Sequence, residues 1–326
     1  MRVSWVKPLR SVVLSLVLGL TFLPAVASWA ADPPGNPPAD KKSEKAPADK
    51  KAEKAPAEKS DDKEPSPQQA EAVARVEKQI EAIQSRMMAL QEQEFSLNMK
   101  VMETQQTANK GVESPAKAAE QLAKGAKTKG LKEYKALLVS CAQQVQAFDG
   151  KLFPLVKAAA GLEKDRPQVP DKLKARIDEV VNRVNSKHRS NLEKVAQLYE
   201  LTAEWRGALG VYTKIQKDMP EAQRAKDTAL IRKIADLSDK CGDYRNSLAG
   251  YKSLFDAKNP KERFNDRDLG EKLADAYEKC GDAKAAYAIY KGLLEALPKD
   301  KRDTDGKGIK DKMEKLEKQG GRPGKR

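Results

Sequence analysis

A 39-residue internal repeat constrains the fold more than any other feature of this 326-residue sequence. Three segments of 21 residues align without gaps, and they start 39 residues apart, at Leu192, Ile231 and Gly270. Repetition at a fixed period of this length is typical of helical solenoids, in which each helix pair buries its apolar face against its neighbours. The sequence therefore predicts an all-α protein that contains an α-α superhelix.

The residues that recur in these segments resemble the tetratricopeptide repeat (TPR) family. In the third segment the small, aromatic, turn and proline positions of that family hold Ala274, Tyr277, Gly281, Ala286, Tyr290 and Pro298. The other two segments depart from the pattern at Ala203 in place of glycine, Ser238 in place of an aromatic residue and Asn259 in place of proline. The resemblance implies three two-helix units, at residues 189–222, 228–261 and 267–300, that bind a peptide or a protein.

The period exceeds the usual TPR length of about 34 residues, so we expect longer connectors between units. Residues 306–319 continue the apolar pattern with Ile309, Met313 and Leu316, which predicts a capping helix. A basic tail, 320–326, follows. The cysteines at 241 and 280 occupy equivalent positions, which we expect to be buried packing sites too far apart for a disulfide.

In the TPR family the first helix of each unit lines a concave groove. Carried over by position, this groove is acidic, and only Arg232, Lys240 and Lys279 offset its carboxylates. We expect Coulomb attraction to draw in a basic segment of a partner. A solvated face without a ligand, and docking of the chain's own basic tail, are the alternatives. The predicted groove residues are Glu193, Glu200, Asp236, Asp239, Asp268, Glu271, Asp275 and Glu278.

The first 30 residues have the composition of a secretory signal peptide. Basic residues at 2, 7 and 10 precede an apolar run, Ser11–Leu23, and the small residues up to Ala30 supply a cleavage site. We therefore expect export to the periplasm or outside the cell. The alternative is an uncleaved membrane anchor, because the charge-free interval extends over 11–30, about the length that a bilayer requires.

Residues 31–67 repeat Lys, Ala, Pro and Glu without large apolar side chains, which predicts a disordered tether. The next segment, 68–105, has apolar residues at alternating steps of three and four, interrupted at Glu94. This heptad pattern predicts a coiled coil through which residues 70–104 would form a homo-oligomer, or else a helix that packs within its own chain. The heptad positions are Val73, Val76, Ile80, Ile83, Met87, Leu90, Leu97 and Val101.

Residues 106–130, rich in Thr, Gly, Lys and Ala, are interpreted as a linker. A helical hairpin over 131–187 follows, and we expect Pro154 and the pair Asp149-Gly150 to break or kink its first helix. The hairpin is basic, since residues 131–190 carry a net charge of +5. The whole sequence carries +14, spread too widely to indicate a nucleic-acid groove.

No catalytic motif is present in the sequence. It lacks GxSxG, HExxH and phosphate-loop patterns, and its single histidine, His188, and three cysteines make a zinc site improbable. No enzyme activity, cofactor or metal is therefore predicted. We expect an exported scaffold or adaptor of the cell envelope, and the order of its segments is similar to that of the periplasmic coiled-coil and TPR proteins of the Tol-Pal system. The alternative is a structural protein that adheres by charge to anionic cell-wall polymer or lipid.

Overall fold

A computed structural model describes residues 66–260, 262–318 and 320 of the chain. Within these residues the secondary structure is helical and no strand is present, which confirms the all-α class. They all belong to one unit of the chain, Lys63–Arg326. The predicted signal peptide and nearly all of the predicted tether lie outside the described residues. The helices are α1 (Pro67–Lys110), α2 (Pro115–Ala123), α3 (Lys129–Asp165), α4 (Asp171–Leu201), α5 (Trp205–Asp218), α6 (Glu221–Arg224), α7 (Thr228–Lys240), α8 (Tyr244–Asp256), α9 (Arg267–Lys279), α10 (Ala283–Ala296) and α11 (Lys307–Lys318).

Helix α1 begins at a capping box and buries its heptad positions within the chain. The Ser66 side chain accepts the backbone N–H of Gln69, whose own side chain accepts the Ser66 N–H. Val76, Ile80 and Ile83 are at most 2% exposed and pack in one cluster with apolar residues of α3 and α4. The seam is therefore filled by the chain's own helices, and those side chains are not free for a coiled-coil partner.

The predicted linker over 106–130 is mostly helical. Helix α1 continues to Lys110, α2 follows, and α3 already begins at Lys129. Local capping explains this, because Ser114 accepts the N–H of Lys117 at the start of α2 and Thr128 accepts the N–H of Leu131 at the start of α3. The composition of this segment therefore gave the wrong interpretation.

Helices α3 and α4 form the predicted hairpin, but neither ends where the sequence indicates. Helix α3 continues through Asp149, Gly150 and Pro154, so the expected break is wrong. Buried Phe148, Leu152 and Leu155 hold both sides of the proline in the same core cluster. Helix α4 is continuous from 171 to 201, so it supplies both the second helix of the hairpin and the first helix of the first repeat unit.

The three repeat units form helix pairs that contact their sequence neighbours. The pairs are α4 with α5, α7 with α8 and α9 with α10, and α11 packs on the last pair. Gly242 and Gly281 turn the chain between the two helices of their units with φ values of 78° and 83°. Ala203 occupies the equivalent turn of the first unit with a φ of 55°, a left-handed conformation that glycine adopts without steric cost.

An arginine at one position of two connectors caps the end of the preceding helix. Arg224 donates to the carbonyls of Lys217 and Met219 at the end of α5. Seventy-eight residues later, Arg302 makes the same bonds to the carbonyls of Glu295 and Leu297 at the end of α10. These guanidinium groups satisfy carbonyls that a helix end leaves unpaired.

Candidate partner-binding site

The eight carboxylates predicted to line the groove all form ion pairs with lysines or arginines of the same chain. Two lie on α4, two on α7 and four on α9. The pairs are Glu193 with Arg189, Glu200 with Lys233, Asp236 with Lys272, Asp239 with Lys279, Asp268 with Arg232, Glu271 with Arg267, Asp275 with Lys312 and Glu278 with Lys315.

Six of these pairs join one unit to the next or to α11. Lys233 reaches back from the second unit to Glu200 of the first, and Lys312 of α11 reaches back to Asp275 of the third. The sequence analysis set only Arg232, Lys240 and Lys279 against these carboxylates, and the structure adds lysines from neighbouring helices, at positions 233, 272, 312 and 315. A basic partner would have to displace cations that the protein already supplies.

A tyrosine, a carboxylate and a lysine recur as a cluster on this face. The Tyr251 hydroxyl donates to Asp236 Oδ1 at 2.6 Å, and Lys272 Nζ donates to the same oxygen at 2.8 Å. Tyr290, Asp275 and Lys312 repeat the arrangement in the third unit. The first cluster therefore binds the second unit to the third, and the second cluster binds the third unit to α11.

Ionisation in these clusters follows from burial and hydrogen bonding. Burial and the acceptor carboxylate raise the pKa of Tyr251 and of Tyr290 above the ordinary tyrosine value. Burial alone would raise the pKa of Asp236, but hydrogen bonds from Lys272 and Tyr251 outweigh it and lower that pKa. At neutral pH the aspartate is charged and the tyrosines are protonated donors.

An open hollow of about 480 Å³ lies between α5 and α8, over α7. We call it the α5–α8 crevice. Leu209, Ile231 and Ile234 supply apolar surface, and Thr213 and Asn246 supply polar groups. Sequence reasoning missed this site, because its lining residues match no motif. Four of its lining residues are small or polar: Gln216, Ala225, Ser238 and Gly250.

The equivalent space between α8 and α10 is filled. A large apolar or aromatic residue follows each of the four small or polar positions after 39 residues. These four larger residues belong to one hydrophobic cluster. Phe255 and Phe264 contact each other edge to face, with ring centroids 5.2 Å apart. The pairs of equivalent residues are Gln216 and Phe255, Ala225 and Phe264, Ser238 and Tyr277, and Gly250 and Ile289.

A second hollow, of about 670 Å³, lies between α3 and α5 and has a basic rim. Phe153 is 43% exposed there, and the ammonium groups of Lys157 and Lys214 lie 4.9 Å and 5.8 Å from its ring centroid. Neither lysine pairs with a carboxylate among the described residues. This site therefore offers unpaired positive charge around an exposed aromatic ring.

The single histidine is buried in the helix junction below that hollow. His188 Nδ1 lies 2.7 Å from Asp149 Oδ1, and both side chains are 5% exposed. His188 Nε2 lies 3.6 Å from Asp218 at the end of α5. These contacts connect α3, α4 and α5, so His188 has a packing role.

The cysteines are free thiols and differ in exposure. Cys141 is buried, Cys241 is partly buried and Cys280 is exposed. The expectation that the equivalent positions 241 and 280 are both buried was therefore wrong, because each follows the last residue of its helix, where the turn faces solvent. Across the described ranges, no group of three or more His, Cys, Asp or Glu residues is placed to hold a metal ion.

None of the helices in the described part of the chain is long and apolar enough to cross a membrane. In comparisons with known proteins, the chain matches no family model and no curated protein sequence.

Proposed function

We propose that this protein is an exported, non-catalytic scaffold of the cell envelope that holds a partner protein on a TPR-like superhelix. The observation that carries this proposal is the α5–α8 crevice, which stays open in a stack whose next crevice is filled. An exposed hollow with an apolar floor and a polar rim is the usual form of a recognition site. The ion-paired first-helix face serves to hold the units in register around it.

The proposal moves the partner from the predicted acidic groove to the crevice. One of the eight carboxylates acts at the crevice itself, because the pair of Glu200 with Lys233 joins the two units whose second helices form its walls. Export rests on the N-terminal sequence pattern alone. Self-association, if it accompanies partner binding, would use a surface other than the buried heptad seam of α1.

Photo-crosslinking from a chosen residue tests the proposal. A photoreactive phenylalanine analogue at Thr213, on the rim of the crevice, should capture a discrete protein from envelope extract. The matched control is Lys252, the equivalent position 39 residues later beside the filled crevice. Capture from 213 and not from 252 supports the scaffold, and equal capture from both, or from neither, contradicts it.

A second candidate function is adhesion to anionic cell-wall polymer or lipid. The unpaired Lys157 and Lys214 around Phe153 favour it, as does the net charge of +5 in residues 131–190. Salt separates the two functions, because binding by exposed charges weakens strongly at a few hundred millimolar salt and crevice binding does not. Retention on anionic vesicles that the double variant Lys157→Glu/Lys214→Glu abolishes would support adhesion.

A further inference from the structure

We propose that the α5–α8 crevice binds an aromatic side chain of the partner, in the position that Phe264 occupies in the next crevice. This inference rests on the proposed function and names the chemistry of the group that is bound. Its basis is that the chain itself contains an occupied copy of the same site. Phe264 projects from the connector after α8 and packs against the helix pair that follows.

The occupied copy is shaped for a ring. Phe264 meets Phe255 edge to face at an interplanar angle of 73°. A side chain at Gly292 would collide with the Phe264 ring, so glycine at this position of α10 makes room for it. The guanidinium of Arg263 lies 5.4 Å from the Phe255 centroid, which adds a cation–π contact.

The open copy lacks the ring, and its connector carries the short helix α6 (Glu221–Arg224) where the filled copy has a 3-10 turn, Arg263–Asn265. Both connectors end at an aspartate that caps the following helix, Asp227 and Asp266, which are 39 residues apart. Ala225 stands where Phe264 stands in the next unit, so this position of the connector contributes only a methyl group. Ser253 replaces Gly292 on the opposite wall, and the hollow of about 480 Å³ remains beside it.

The rim of the open copy suits a ring that is carried on a polypeptide. Arg224 lines the crevice, and its guanidinium is held by two backbone carbonyls, which fixes a planar cation beside the incoming ring. Thr213, Asn246 and Ser253 add hydroxyl and amide groups that can pair with the backbone of a bound segment. An aromatic anchor inserted in a pocket with polar groups around it is the common arrangement of an interface hot spot.

Nuclear magnetic resonance titration tests the inference without the partner. The probe is N-acetylphenylalanine amide, added to the ¹⁵N-labelled chain from residue 31 onward, with the leucine and lysine analogues as comparisons. The phenylalanine probe should shift the amide signals of Ala225 and Ser253, and the lysine probe should not. Equal shifts from all three probes, or shifts confined to other residues, would overturn the inference.

Two variants give the titration matched controls. Ala225→Phe fills the crevice from within the chain and should abolish the shifts at Ser253. Phe264→Ala opens the second crevice and should add a second binding site whose signals include Gly292. Thermal unfolding of each variant verifies that it folds, and Gln216→Phe replaces Ala225→Phe if the latter does not. Shifts at Ser253 that survive the filling variant contradict the proposed location.

The outcome also separates this inference from the proposed function. A crosslinked partner whose anchor aromatic, when changed to alanine, loses about 100-fold in affinity supports both, since a buried ring is worth that much. Capture of a partner from Thr213 without any probe binding leaves the scaffold in place and overturns the aromatic anchor. Probe binding without any captured protein overturns the scaffold, and with it the assignment of the anchor to a partner.

Discussion

Replacing Ala203 by glycine should stabilise the protein, because this residue adopts a left-handed conformation at the turn of the first unit. Its φ is 55°, whereas the equivalent Gly242 and Gly281 have φ values of 78° and 83°. A non-glycine residue in this region costs roughly 1–2 kcal/mol. Glycine also gives the unfolded chain more conformational freedom, which lowers the stability by about 0.4–1 kcal/mol. The net stabilisation should be about 0.5–1 kcal/mol.

Equilibrium urea unfolding, followed by circular dichroism, measures this difference. Two glycine-to-alanine variants serve as controls with opposite expected signs. Gly242→Ala should destabilise the protein by about 1 kcal/mol or more, because φ is positive. The added methyl group would meet no other atoms, so the backbone conformation alone causes this loss. Gly210→Ala, inside helix α5 and also free of neighbours, should stabilise it by about 1 kcal/mol. A destabilised Ala203→Gly variant, or Gly242→Ala and Gly210→Ala effects of the same sign, would refute this account of the repeat turns.

Three further predictions concern buried and titrating groups. His188→Ala leaves the buried Asp149 carboxylate without its partner, and chemical unfolding should show a loss of about 3 kcal/mol that replacing both residues by leucine partly recovers. Acid titration should also reduce stability. Burial would raise the pKa of Asp266, but hydrogen bonds from Lys258 and the Leu269 N–H lower it, so below about pH 3.8 the unfolded chain binds protons first and stability falls. At the alkaline end the pKa of Tyr290 is raised, so stability should fall above pH 10.0, where tyrosines of the unfolded chain ionise. A melting temperature that stays constant across either pH range would contradict these assignments.

The repeat predicted the helix pairs well, because one local pattern recurs in register. The equivalent positions 205, 244 and 283 each begin the second helix of a unit. The heptad pattern of α1 could not show whether its seam packs on α3 and α4 or on a second chain, because both kinds of pairing require the same apolar spacing. The segment over 106–130 was predicted to be a linker from its composition, and the helix N-caps at Ser114 and Thr128 were not considered.

The candidate site was harder to predict from the sequence than the fold. The carboxylates at 236 and 275 were identified, but the lysines that neutralise them come from the third unit and from α11, at separations of 36 and 37 residues. The crevice did leave a signal, since Ser238 departs from the aromatic of its repeat position. Comparing whole columns of the alignment, with Ala225 against Phe264 among them, would have located it.

Partner capture by the Ala225→Phe variant tests the central claim most directly. A photocrosslinker at Thr213 is compared in the wild-type and variant backgrounds at a few hundred millimolar salt, where exposed charges contribute little. Our account predicts that one discrete protein is captured by the wild type and that filling the crevice reduces this capture at least about 10-fold. Capture that the filled crevice leaves unchanged, and that Lys157→Glu/Lys214→Glu abolishes, would contradict it and support adhesion through the basic hairpin.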